Sequence, residues 1–242
     1  MDSLPNELID AIVDNLPPSN LHSSSLVARR WRARSQQRIL DSITFSSQDN
    51  VDRWYWDVQR GRNRVVSYVR SAKFRGIGSW IEPALFGRVL KGFCSLTTLE
   101  VDICAIPDEL QDQILRGEFG RGITNLSLRL PRCDLSTVAS MILPLPDLKK
   151  LTVTVIEKPP KQPSSTPIAP QRRSIDVLKL YLYANEVAEA LIQARLTSRC
   201  ICVGHAISSV HRVLAISSET LVALTLEGGW FSAGFQATDE QR

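Results

Sequence analysis

Cys200, Cys202, His205 and His211 fall within twelve residues of one another and are enough for a four-ligand zinc set. Thiolates and imidazoles are the ligands of tetrahedral zinc, so chemistry is looked for here first. The spacing C-x-C-x2-H-x5-H matches no zinc module, and an extended backbone would turn both cysteines onto one buried face. No metal ligand is therefore assigned. The five cysteines, at 94, 104, 133, 200 and 202, form an odd and scattered set that fits reduced thiols better than a disulfide frame. No phosphate-binding Gly-Lys loop, paired-His motif or dinucleotide fingerprint occurs, and only three histidines are present. The expectation is a chain with no cofactor and no catalytic residues, whose chemistry is recognition.

The elements that could carry recognition begin at the N-terminus, with LPNELIDAIVDNLPPSNLHSSSLVARRW at residues 4–31. Leu4, Leu8, Ile9, Ile12, Val13 and Leu16 recur at spacings of three and four, which predicts a helix with one apolar stripe. Pro5 suits its first turn, and Pro17-Pro18 stop it. Ser19 is the expected cap of a second helix with Leu21, Leu26 and Val27 inward. A third helix is expected from Ala28 to Leu40, with Trp31 turned inward and the arginines solvated. Three short helices make a marginal core, so the unit needs something else to pack against.

The pattern Leu-Pro-x-Glu-Leu-(x3)-Ile-(x3)-Leu, followed by Leu21, Val27 and Arg30-Trp31, resembles the F-box over residues 4 to about 44. That resemblance implies docking on a Skp-type adaptor and, through it, a cullin scaffold. It puts Leu4, Pro5, Leu8, Ile9, Ile12, Leu16, Val27 and Trp31 in the small core and the adaptor-facing surface. The polar run His22-Ser23-Ser24-Ser25 departs from the more apolar second helix of many F-boxes, and implies a weaker second helix.

Further along, the pattern apolar-x-x-apolar-x-apolar keeps returning. It appears as Val69-Ala72-Phe74, Leu96-Leu99-Val101, Ile123-Leu126-Leu128, Leu148-Leu151-Val153, Ile175-Leu178-Leu180 and Leu221-Leu224-Leu226. The offsets are 27, 27, 25, 27 and 46, and the last leaves room for another strand near Cys200–Val203. Helices are expected between them at 84–91, 108–116, 134 or 136–143, 186–196 and 206–216. A strand and a helix about every twenty-five residues is the leucine-rich-repeat unit. Leu96, Leu99, Val101, Cys104 and Ile106 resemble its consensus best. The expected fold is α+β: a three-helix F-box followed by a short, irregular α/β solenoid of parallel strands alternating with helices. Such irregular arrays resemble those of fungal F-box proteins.

Alternation along each strand sends the leucines inward and the intervening residues to the other face. Lys73, Arg75, Glu100, Asp102, Arg129, Lys179 and Tyr181 are therefore the candidate contacts to a client protein. The expected division is an F-box at 1–44, a connector at 45–64, the repeat region at 65–230 and a tail at 231–242. Five prolines in 157–174 mark an inserted mobile loop.

The net charge of +4 is too small to imply nucleic acid by itself. Nine Lys/Arg in residues 53–91, interleaved with Trp54, Tyr55 and Trp56, keep nucleic acid open as a minor alternative. The preferred account has Trp54 and Trp56 seating the N-terminal unit on the first repeat. No apolar run approaches the length of a membrane span, about 20 residues. Cytoplasmic or nuclear placement is expected, as is a role as substrate receptor of an SCF-type ubiquitin ligase, with a non-degradative scaffold as the rival.

Overall fold

The computed structural model describes residues 4–60, 63–77, 83–103, 122–130, 142, 145–156, 174–182, 184–204 and 210–227. Three helices come first: α1 (Asn6–Asp14), α2 (Pro18–Val27) and α3 (Arg29–Leu40). Pro5 caps α1, and its carbonyl accepts from the Leu8 and Ile9 amides. Pro17, not Ser19, occupies the cap position of α2. Pro18 lies at the first helical position, where a missing N–H leaves nothing unpaired. Ala28 breaks α2 from α3 with an extended backbone.

An eight-stranded sheet follows: β1 (Ser42–Phe45), β2 (Ser71–Ile77), β3 (Thr98–Ile103), β4 (Asn125–Leu130), β5 (Lys150–Val155), β6 (Ser174–Leu182), β7 (Thr197–Gly204) and β8 (Ala223–Glu227). All neighbours are parallel, and the order in space is the order in the chain. Between the strands lie α4 (Gln48–Gln59), α5 (Asn63–Val66), α6 (Pro83–Gly92), α7 (Asn185–Gln193) and α8 (Val210–Ser217). The helices expected at 108–116 and 134 or 136–143 lie outside the described residues, apart from the buried Ile142. So do the proline-rich segment through residue 173 and the tail.

The register aligns the apolar pattern across the whole sheet. One ladder runs Ile43, Ala72, Leu99, Leu126, Leu151, Leu178, Ile201, Leu224; the other runs Phe45, Phe74, Val101, Leu128, Val153, Leu180, Val203, Leu226. In four of the units the first apolar residue sits just before its strand and is buried: Val69, Leu96, Ile123 and Leu148. Leu85, Phe86, Val89 and Leu90 of α6, Val187 and Leu191 of α7 and Val213 of α8 pack into the same core. The gap of 46 residues divides evenly, with Ile201 and Val203 of β7 filling the middle position.

Two strand-level differences from the sequence pattern have clear causes. The sheet begins one strand early, at β1, because Leu40-x-x-Ile43-x-Phe45 is itself a copy of the pattern. The helical periodicity of α3 runs into it and masks it. In β7 the position before the strand's apolar pair is Ser198, not a leucine. Its amide donates to Ser217 Oγ at 3.1 Å and its hydroxyl to the Cys200 carbonyl at 3.0 Å, so this polar residue is satisfied in the core. α7 also stops short of Leu196, because Arg195 adopts a left-handed φ of 54° and the Leu196 amide closes back on the Leu191 carbonyl at 3.0 Å.

The first strand is covered by aromatic packing. Phe45 stacks on Phe74 with centroids 4.8 Å apart, Phe74 meets Phe86 edge-on at 4.6 Å, and Trp54 of α4 bridges Phe45 and Phe93. Trp56, by contrast, is 58 % exposed, and Trp54 packs on the core of the sheet and not on that of the N-terminal unit, so the expected seating of that unit by the two tryptophans is corrected. At the other end Leu224 and Leu226 of β8 are 43 % and 50 % exposed. Leu128→Ala should therefore cost about 2–5 kcal/mol, because Leu128 is fully buried, whereas Leu226→Ala should cost less than about 1 kcal/mol. Urea unfolding of the two variants measures the difference.

Candidate functional site

The core of the N-terminal unit is small: Ile9, Val13 and Leu21, with Leu16 and Trp31 packed against them. Helical spacing from Leu21 brings Ser24 and Ser25 to the buried face of α2, not Leu26 and Val27, which are 70 % and 66 % exposed. The polar run is thus the packing face. Ser24 Oγ donates to the Leu21 carbonyl at 2.8 Å and lies 2.8 Å from Ser35 Oγ on α3; Ser25 Oγ donates to the His22 carbonyl at 2.6 Å. Small hydroxyls let α2 and α3 approach closely while leaving no buried oxygen orphaned.

With so little interior, α1 keeps much of its apolar stripe outside. Leu4, Leu8 and Ile12, one turn apart, remain 36 %, 51 % and 41 % exposed. Together with Ala11, Asn15 and Leu16 they line an open groove of about 500 Å³. The expected recognition set therefore separates. Leu4, Leu8, Ile12 and Leu16 line the groove, Ile9 and Trp31 hold it from below, Pro5 caps α1, and Val27 is exposed on α2 without lining the groove.

The groove helix is clamped to α3 by charge. Arg34 donates from Nε and Nη2 to the two Asp14 carboxylate oxygens at 2.7 and 2.6 Å, a bidentate pair. The Arg38 guanidinium donates to the Val13 and Leu16 carbonyls, the latter at 3.0 Å, and so satisfies acceptors at the C-terminal end of α1. Sequence reasoning read these arginines only as a wet face. Their spacing of four on α3, opposite an acid at the end of α1, is the signal that could have shown the clamp.

The face of the sheet away from the helices collects the other candidates. Lys73 of β2 pairs with Glu100 of β3 at 2.8 Å, and Arg129 of β4 approaches Asp102 of β3 at 3.9 Å. Cross-strand partners continue the two rows: Glu100, Ser127, Thr152, Lys179, Cys202 in one, and Asp102, Arg129, Thr154, Tyr181, Gly204 in the other. Arg75 is exposed beside a register shift in β2.

Cys200 and Cys202 lie on this same polar face, because Ile201 and Val203, which alternate with them, point into the core. The strand does turn both cysteines onto one face, but only Cys202 is buried there, Cys200 being half-buried. Its Sγ lies 3.6 Å from the Tyr181 hydroxyl. His211 is exposed on α8, in the helical layer, and His205 lies outside the described residues. The strand therefore divides the cysteines from His211. Among the described residues no group of three or more His, Cys, Asp or Glu side chains is arranged to hold a metal. Within the basic block 53–91, Trp54 and Tyr55 pack on the core, Lys73 is paired on the sheet, and Arg70 approaches Asp41 at 3.9 Å.

The hydrogen bonds from Arg34 hold the Asp14 carboxyl below its ordinary value of 3.8, and the guanidinium's pKa is raised in turn. A carboxylate lowered by folding stabilises the fold fully above its unfolded pKa, and that contribution is lost as pH falls through the folded value. The clamp should thus be intact at neutral pH and open only in acid. In a carboxyl-detected NMR titration Asp14 should titrate below its ordinary value, and Arg34→Gln should raise it.

No curated protein matches the chain. Residues 1–42, the three helices that build and clamp the groove, match the family model of the F-box domain, which supports an F-box protein.

Proposed function

We propose that this chain is a substrate-receptor subunit of an SCF-type cullin ubiquitin ligase. The observation that carries the reading is the solvent-facing groove of Leu4, Leu8, Ile12 and Leu16, which lies within the residues that match the F-box domain. F-box domains in general bind Skp-type adaptors. An exposed apolar stripe on a clamped helix suits such a partner, since burial of leucine and isoleucine contributes about 25 cal/mol per Å². In this reading the cullin is reached through the adaptor, and the sheet with its helices is an irregular leucine-rich-repeat solenoid of fungal type whose polar face takes the client. Support for the solenoid comes from strands that are all parallel and stacked in chain order. The receptor would supply no nucleophile; it would hold a client lysine near a loaded conjugating enzyme, so that catalysis is by proximity. The work would be done in the cytoplasm, the nucleus or both.

The groove and the core make separable predictions. Leu8→Asp and Ile12→Asp should abolish co-purification with a Skp-type adaptor while changing unfolding free energy by no more than about 0.5 kcal/mol. Ile9→Asp places a charge in the small core and should cost about 4 kcal/mol or more, losing the adaptor through unfolding. Retention of the adaptor by folded Leu8→Asp and Ile12→Asp proteins would reject the groove as its docking face.

A further inference from the structure

The sheet's polar face is not uniform in charge. On β2–β4 two of the three cations have an acid on the adjacent strand, Lys73 with Glu100 and Arg129 with Asp102, while Arg75 is exposed beside the register shift in β2. From β5 to β7 the pattern changes. The residues on this face are Lys150, Thr152 and Thr154, then Val177, Lys179 and Tyr181, then Cys200, Cys202 and Gly204. They include two lysines and no carboxylate. Asp147, just before β5, and Asp176, within β6 but off this face, form no ion pair with either lysine.

Among the described residues, neither Lys150 nor Lys179 has a hydrogen-bonding or ionic partner, and neither do the hydroxyls of Thr152 and Thr154. Lys179 is half-buried, with Thr152 and Cys202 directly beside it across the strands. Lys150 pairs in register with Val177, and Thr152 with Lys179, so the two lysines stand on a cross-strand diagonal. With parallel strands about 4.8 Å apart and alternate residues about 6.6 Å apart along each, that diagonal spans about 8 Å. Alternate residues of an extended peptide lie about 7 Å apart, a close match.

We propose that this patch binds an acidic, extended segment of a client protein, with carboxylates at alternate positions, Lys179 and Lys150 neutralising them and the threonine hydroxyls donating to them. The proposal rests on the receptor reading above and adds to it the chemistry of the client. It also ranks the candidate contacts. Lys73, Glu100, Asp102 and Arg129 neutralise one another and contribute little net charge to a partner, whereas Lys179 lacks an internal acid and Lys150, outside the original candidate set, joins it. Nucleic acid suits the patch less well. Single strands bind where several aromatic rings give stacking platforms, and the β5–β7 face has only Tyr181, whose hydroxyl faces Cys202.

The test uses the full chain in complex with a Skp-type adaptor and a fluorescein-labelled decapeptide of alternating Glu and Thr. Anisotropy is read at about 50 mM salt, where screening is weak. The complex should bind the peptide. Lys179→Gln and Lys150→Gln should each weaken binding by about tenfold, and Lys73→Gln by less than about twofold, with thermal unfolding unchanged in all three. Absence of peptide binding, or an equal loss in all three variants, would overturn the proposal. So would tighter binding of an oligothymidylate of equal length with the same dependence on Lys179. Adaptor retention is scored on the same sample: peptide failure with the adaptor bound rejects the acidic patch alone, whereas failure of the adaptor to bind rejects the receptor reading.

Discussion

Two side chains per strand must reach the same core, and each strand pairs only with the strands next to it in the chain. That constraint governs the rest of the molecule. The ladders from Ile43 to Leu224 and from Phe45 to Leu226 can stay continuous only if every strand keeps one register, because a slip of a single residue would send leucines to water and lysines inward. The register is pinned where the strands begin. The Arg70 carbonyl accepts from the amides of both Thr97 and Thr98, the Thr97 carbonyl from Thr124 and Asn125, and the Thr124 carbonyl from Lys149 and Lys150. Thr97 and Thr124 add hydroxyl bonds to the same two carbonyls, at 3.2 and 3.3 Å, and Asn125 Nδ2 reaches Thr98 Oγ1 at 3.1 Å. Once these fix the register, the composition of the opposite face follows without further choice. Lys73 meets Glu100, Asp102 meets Arg129, and Lys179 meets only Thr152 and Cys202.

What could be read from the sequence was whatever had an apolar period. Leu99-x-Val101, Leu126-x-Leu128 and their relatives announce strands because both inward positions are aliphatic, and the same holds for Leu85, Phe86, Val89 and Leu90 of α6. Reading failed where a polar side chain takes an inward place. Ser24 and Ser25 face the core of the N-terminal unit, and Ser198 faces that of the sheet, because each has a hydrogen-bond partner that no spacing rule reveals. Leu26 and Val27 failed in the opposite sense: apolar residues, but on the outer side of α2 by helical geometry. The groove was legible as a surplus of apolar residues over available interior, yet which of them line it was not. Ile9 and Leu8 are neighbours in sequence and differ from 4 % to 51 % in exposure.

The two surfaces work by different physics. The α1 groove is apolar and depends on the helix being held, since a fraying C-terminus would remove Leu16 from its edge. Asp14 and the carbonyls of Val13 and Leu16 are where Arg34 and Arg38 act, so the clamp secures the last turn of the helix that lines the groove. The sheet face, by contrast, carries charge at fixed spacing on a backbone that cannot shift, which favours selection among partners over bulk affinity. The two are separated by β1 and α4, whose Phe45 and Trp54 belong to the core of the sheet and not to that of the N-terminal unit.

The ends of the sheet are not equivalent, and the difference has an energetic meaning. β1 is buttressed on its core side by α4, whose Val51 and Trp54 join the packing around Phe45, so its inward ring is almost wholly removed from water. β8 contributes Leu224 and Leu226 at the same ladder positions, yet these keep roughly half their surface. When strands contact only their chain neighbours, local stability depends on the coverage each receives, so opening is easiest where coverage is least. The polar patch on β5–β7 lies inward of that end, with β7 and β8 between Lys179 and the edge. Lys150 and Lys179 are thus held on strands paired on both sides, where the spacing that makes them a matched pair of cations survives any fraying of β8.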